Sequence, residues 1–253
     1  MQGIFLGTGT SQGVPVIACE CEVCTSSDPK DKRLRSSFLF KLPEGNIVID
    51  TGPDFRQQML IHDVKRMDAI LYTHEHKDHV AGMDDVRAFN YKMKQDMEIY
   101  ATNSVQNALR REFYYVFEAV KYPGVPQVNL NLITTEPFEV LGEEIIPVEV
   151  LHYKLPVLGF RVRDFAYITD AKTIAEEEKL KLQGLDTLVL NALRKEPHLS
   201  HFTLEEALEL IDELNPKKAY LTHISHLFGR HEDDHGLPDN VEIAHDGLTI
   251  DIL

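Results

Sequence analysis

Short apolar runs rich in β-branched and aromatic residues recur along the chain, each closed off by turn residues. They read GIFLG, SSFLF, NIVID, AILYT, EIYA, VNLNLI, EIIPVEV, GFRVR, FAYIT, TLVLN, KAYLT and GLTIDIL. Runs of this length and composition predict β-strands. Helical periodicity lies between some of them. The clearest case starts at Thr203, where Thr203 and Glu206 form an S/T-x-x-E capping box. Leu204, Ala207, Leu208, Ile211 and Leu214 then make one apolar stripe, and Asn215-Pro216 stops it. Further helices are predicted over 54–62, 84–93, 103–119 and 171–182. Strands follow one another first, and helices intervene later. That order predicts an α/β protein of two sheets with helices outside, in one domain spanning 1–253.

Composition narrows the class. The 253 residues are 43% apolar and 26% charged, an ordinary globular balance. No apolar run reaches the length of a transmembrane helix. The start MQGIFLGTGTSQG lacks the basic and apolar regions of a signal peptide, so the expected location is the cytoplasm, with no membrane partner. The formal net charge of −15 argues against affinity built on non-specific phosphate contacts, so a nucleic-acid partner is not expected. A homodimer is compatible with the sequence, which names no surface for it.

The chain has 12 histidines, and they cluster. LYTHEHKDHVAG places His74, His76, Asp78 and His79 directly after the strand AILYT. In extended chain, residues two apart point the same way, so His74 and His76 can grip one metal. The chain then turns through Lys77, and Asp78 and His79 can face a second. Imidazole and carboxylate suit zinc, manganese or iron. Asp50, His152, Asp170 and His223 each end a separate apolar run. Taken singly, each is more often a hydrogen-bonded loop residue. Four such residues at four strand ends point to one shared site.

The three cysteines all lie in ACECEVC, as Cys19, Cys21 and Cys24. Three thiols cannot all pair, and a redox pair, free thiols or a metal site are the readings. EPHLSHFTLEEAL offers His198 and His201 just before the capped helix, whose N-terminus favours anions. His198 reads as a surface loop residue within reach of a substrate. GTGTSQG could approach a phosphate through its backbone, though a tight turn is the commoner meaning. Arg87 reads as part of a salt-bridged helix face, and His231, His235 and His245 as loop residues.

The motif H-x-H-x-D-H after a strand, with His152, Asp170 and His223 following, resembles the metallo-β-lactamase fold superfamily. The resemblance implies an αββα sandwich of two mixed sheets with a two-metal site at one edge. His74, His76 and His152 would hold one ion and Asp78, His79 and His223 the other. Asp170 would bridge them, and Asp50 would orient ligands from behind. His76 stands where redox-active di-iron members carry Glu, which is similar to the hydrolytic branch.

The opening GTGTSQGVPVIACECEVC, with DPKDKRLRSS, resembles the phosphoribosyl 1,2-cyclic phosphate phosphodiesterase group, the phosphodiesterase of the carbon–phosphorus lyase pathway and its relatives. That likeness implies a structural zinc held by Cys19, Cys21, Cys24 and His226, in an N-terminal loop over about 18–35. It implies two divalent ions (zinc, manganese or iron) in the active site. The expected reaction is cleavage of a small phosphodiester, a cyclic one among the candidates, by a metal-activated bridging water, with Asp78 and Asp170 in the machinery and His201 as general acid. The tRNA 3′-processing endonucleases share the motif order, but their Gly/Pro-rich basic arm is missing. A thioester or lactam hydrolase is a further reading, and His201 and the cysteine set speak against it. The pyrroloquinoline quinone biosynthesis relative shares a cysteine cluster. A non-catalytic metal-binding module would be expected to have lost ligands, and here each ligand place is filled.

Overall fold

The computed structural model describes residues 1–253. Six strands come first in the chain: β1 (Gln2–Gly7), β2 (Ser37–Lys41), β3 (Asn46–Ile49), β4 (Ala69–Leu71), β5 (Met97–Ala101) and β6 (Val128–Leu132). They lie side by side in that order, antiparallel from β1 to β3 and parallel from β3 to β6. The second sheet holds β7 (Phe138–Val140), β8 (Glu143–His152), β9 (Leu155–Val162), β10 (Phe165–Ile168), β11 (Thr173–Ile174), β12 (Thr187–Asn191), β13 (Lys218–Thr222) and β14 (Val241–Ile243). It repeats the plan, with an antiparallel half over β8, β9 and β10 and a parallel half over β10, β12, β13 and β14. The last strand, β15 (Thr249–Asp251), returns to pair antiparallel with β1. The Met1 ammonium donates to the Ile252 carbonyl at 2.9 Å.

The strands read as near-continuous apolar runs because both faces of each sheet are covered. Along β1, Phe5 faces the inter-sheet core while Ile4 and Leu6 face the helices outside, the two-residue alternation of extended chain. Phe38 sits centrally between the sheets, with ring centroids 5.0 Å from Phe5 and Phe40, 5.1 Å from Phe165 and 5.3 Å from Tyr167. Gly3 makes room for it: a Cβ there would lie 2.4 Å from the Phe38 ring.

The helices in chain order are α1 (Glu22–Thr25), α2 (Phe55–Ile61), α3 (Lys77–Val80), α4 (Arg87–Met93), α5 (Asn103–Glu112), α6 (Tyr114–Phe117), α7 (Glu176–Lys179) and α8 (Leu204–Leu214). α2, α4 and α5 bury apolar side chains on the outside of the first sheet, and α8 does so on the outside of the second. The layers are therefore α, β, β, α. The capping box at Thr203 is present, and α8 ends at Asn215 in the left-handed region with φ 48°.

Three predicted helices differ. The 103–119 segment breaks at Phe113, where φ is −114° and ψ 41°, before the single turn of α6. The run FYYVF consists of weak helix formers, and burial of Phe113 and Val116 decides its path. Within 171–182, Thr173 and Ile174 instead pair with β8, and only one turn plus a short 3-10 stretch follows. β-Branched residues beside an open strand edge favour the ladder. The 84–93 segment opens as a 3-10 turn over Met83–Val86 before α4. The short strands β7, β11 and β14 carry too few residues to stand out by periodicity.

Candidate metal centre

Parallel strands of both sheets deliver their C-terminal ends to one edge, and the chemistry-bearing residues stand there. Asp50 follows β3, His74 lies just past β4, Asp170 follows β10 and His223 follows β13, while His152 closes β8. Asp50, Asp170 and His223 have φ of 61°, 58° and 58°. Left-handed backbone is uncommon for residues other than Gly, and it costs energy that the surroundings must offset. At each of the three, the turn swings a polar side chain out of the sheet into the shared site. His76 precedes α3, whose first turn carries Asp78 and His79.

His74, His79 and His152 each have an oxygen behind them that fixes the tautomer. The Thr73 hydroxyl donates to Asp50 Oδ2 at 2.8 Å, so its oxygen accepts the His74 Nδ1 proton at 3.0 Å. His79 Nδ1 donates to Asp50 Oδ2 at 2.6 Å. His152 Nδ1 donates to the Ser200 carbonyl at 2.8 Å. The opposite nitrogens face inward. His74 Nε2 lies 3.0 Å from His76 Nδ1, and the His76 and His152 rings are 5.2 Å apart. His79 Nε2 lies 3.1 Å from Asp78 Oδ2 and 3.4 Å from Asp170 Oδ1. His79 Nε2 and His223 Nε2 are buried without a hydrogen-bond partner. Ligand atoms of His74, His79 and Asp170 lie within 4.8 Å of one another, as do those of Asp78, Asp170 and His223.

Electrostatics gives the same picture. Burial opposes a proton on His79, but the Asp170, Asp50 and Asp78 carboxylates outweigh it and hold its pKa well above the usual value. Burial, with repulsion from His79, drives His74 well below. Burial likewise opposes charge on Asp170, yet the imidazoles of His223 and His79 hold its carboxyl well below the ordinary range. The pocket between Asp78, His79 and Asp170 thus demands positive charge. Divalent metal ions would meet that demand in place of the His79 proton, so the residues present fit a metal pair.

His201 stands over this cluster, its ring centroid 4.5 Å from His152 and 4.8 Å from His223. Its Nδ1 is buried without a partner. Burial, with repulsion from His223, pushes its pKa down to about 2. His198 lies outward of it at 5.1 Å between rings, partly exposed at the mouth of the site.

The cysteine cluster forms a separate group. Cys19 Sγ and Cys21 Sγ lie 3.3 and 3.4 Å from His226 Nδ1. Cys21 Sγ accepts from the Cys24 N–H, which helps lower its pKa to about 6, and Cys24 Sγ accepts from the Val16 N–H at 3.3 Å. All four ligand atoms lie within 4.8 Å of one another. This closed set of four is what a structural zinc takes.

Several sequence candidates fall outside both groups. Arg87 pairs with Asp84 at 3.1 Å on a helix face. GTGT serves packing: Gly9 is squeezed against Arg33 and Leu34, where a Cβ would lie 2.9 Å from the Arg33 carbonyl oxygen. His231, His235 and His245 have partners after all, and they line a cavity of about 360 Å³ that shares no residue with the metal site. Ser36, Thr73 and Asn191 were not legible as site residues. Asn191 is fully buried and clamps Ala171 through both backbone groups, at 2.7 and 3.0 Å, holding the turn at Asp170. A polar residue ending a buried apolar run was the available signal.

Comparison with known proteins agrees with this geometry. The model of the beta-lactamase superfamily domain matches residues 45–224. A crystal structure described as a new diphosphatase from the PhnP family superposes with a TM-score of 0.93 at 38% identity, over 100% of this chain and 98% of that one. Zinc-bound PqqB from Methylobacterium extorquens gives 0.80 at 20% identity over 100% of both chains, a likeness of fold. A protein of Porphyromonas gingivalis named octanoyltransferase is 39% identical over 252 residues, which are 98% of this chain and 51% of that protein. The chain thus spans about half the length of that curated relative.

Proposed function

Because the chain belongs to the beta-lactamase superfamily, in its PhnP-like group, we propose that it is a binuclear metal-dependent hydrolase acting on a small phosphodiester. The observation that carries this reading is the convergence of imidazoles and carboxylates around Asp170, with His74, His79 and His152 each backed by an oxygen. His74, His76 and His152 would hold one ion, Asp78, His79 and His223 the other, and Asp170 would lie between. When bound, two divalent ions (zinc, manganese or iron) supply Lewis-acid charge and a water acidic enough to serve as nucleophile near neutral pH. Asp50 and Thr73 keep His79 and His74 oriented. His201 hands a proton to the leaving oxygen. Burial and the neighbouring imidazoles disfavour its proton in the free site; a bound phosphate anion beside it would favour the proton it delivers.

The diphosphatase relative favours a second reading, cleavage of a phosphoanhydride in a small diphosphate. The two differ at the leaving group. An alkoxide needs protonation, whereas a phosphate leaves with little help. Replacing His201→Ala should therefore slow an alkyl phosphodiester or a ribose cyclic phosphate about 10²- to 10⁴-fold. It should slow bis(p-nitrophenyl) phosphate or a small diphosphate far less. Equal losses on all of them would remove His201 from the acid role. Asp78→Ala should abolish turnover of each. A tRNA precursor and an octanoyl thioester belong in the same assay. Turnover confined to either would replace the phosphodiester reading. An acyl-transfer reading has little support here, since the chain's three thiols are gathered on His226.

A further inference from the structure

His223 differs from the other histidines in how it is held. It is 1% exposed, left-handed in its backbone, and its Nε2 has no partner. Its Nδ1 faces three oxygens: Ser36 Oγ at 3.1 Å, Asp170 Oδ1 at 3.2 Å and Thr169 Oγ1 at 3.5 Å. Asp170 Oδ1 already accepts the Thr169 hydroxyl at 2.7 Å, and Asp170 is itself a metal donor in the reading above. Thr169 stands at the limit of hydrogen-bond distance.

Ser36 is placed differently. It is 2% exposed and immediately precedes β2 of the first sheet. Its N–H and its hydroxyl both donate to the Gly9 carbonyl, each at 3.0 Å. With its proton committed there, the Ser36 oxygen can only accept from His223 Nδ1. Gly9 is in turn fixed, since its N–H donates to Leu34 O at 2.8 Å and a side chain would collide with Arg33. The same stretch grips the far side of His223: Ile224 N donates to Thr8 O at 2.8 Å and Thr10 N to Ile224 O at 3.1 Å. The 8–10 stretch thus lies between the Ser36 segment of one sheet and the His223 segment of the other.

We propose that Ser36 is a positioning residue for the second metal: it takes the Nδ1 proton of His223 and so presents Nε2 as the ligand. This rests on the two-metal reading. A partner behind a ligating histidine changes metal affinity by about 10- to 100-fold. The test uses the metal-loaded protein, dialysed against a graded series of chelator, with metals per chain counted by elemental analysis and the thermal midpoint of each variant measured. Ser36→Ala should lose an active-site metal at about 10- to 100-fold lower chelator strength, keep the cysteine-bound metal, and Ser36→Thr should restore retention. A lower thermal midpoint with unchanged retention would reduce Ser36 to a packing role and overturn the proposal. His223→Ala is the control. If it loses the metal and Ser36→Ala does not, Ser36 is not the positioning group. If His223→Ala retains every metal, the two-metal reading itself falls.

Discussion

Asp50 meets three donors with two oxygens. Oδ1 accepts the Thr73 N–H at 2.9 Å, and Oδ2 accepts the Thr73 hydroxyl and His79 Nδ1. It orients two histidines of the cluster, His79 directly and His74 through Thr73. Asp50→Asn should keep the shape and lose the anionic acceptor, and metal retention should fall about 10- to 100-fold, read by the same chelator titration. Unchanged retention would show that Thr73 alone suffices. The residues that converge on the candidate site were legible in the sequence because four of them crowd into six residues and the rest each end an apolar run. The residues behind them were not. Ser36, Thr73 and the Ser200 carbonyl carry no signature, since a hydroxyl or a carbonyl beside a strand is ordinary until the partner arrives from a distant segment. Ser36 and His223 are separated by 187 positions.

Among the elements, α8 shows how local signals succeed. Thr203 Oγ1 accepts the Glu206 N–H at 3.2 Å and Glu206 Oε2 accepts the Thr203 N–H at 2.8 Å. Thr203→Ala should cost about 1 kcal/mol, a fall of about 2–4 °C in Tm for a domain of this size. Glu206 also pairs with Lys172 at 2.6 Å. Partial burial opposes its charge, but Lys172 and the Thr203 N–H outweigh that and hold its carboxyl below the ordinary range. A depressed carboxyl contributes stability above its unfolded pKa of about 4.3, and loses it as pH falls through the folded value. The Tm gap between wild type and Glu206→Gln should therefore be widest near neutrality and close in acid. A gap constant with pH would refute the assignment. Where prediction failed, as at 103–119 and 171–182, periodicity competed with a sheet face or an open strand edge, and the distant partner won. No spacing along the chain encodes that partner.

At the scale of the whole molecule, the metal site lies where the two sheets meet, so whatever holds their edges together holds the site. The cysteine group ties the N-terminal loop to His226, three residues beyond His223. Cys21→Ser should release a single metal and lower Tm while the active-site metals stay. Retention of every metal would mean the cluster is not a zinc site. Between the sheets, Phe38→Ala should cost about 3–5 kcal/mol, because four aromatic rings lose their common neighbour. The pairing of β15 with β1 has a consequence of another kind. It brings the two chain ends together at the floor of the first sheet, opposite the rim where β1 runs on to Thr8 and Gly9. A linker of a few residues would join Leu253 to Met1 into a closed ring, and the ring could be cut anew at the open turn of Gly142, where an added Cβ would meet nothing within 4 Å. Such a permuted chain would carry the same walls, floor and rim in a different order of synthesis, because the architecture depends on which strands are neighbours and not on which one is made first.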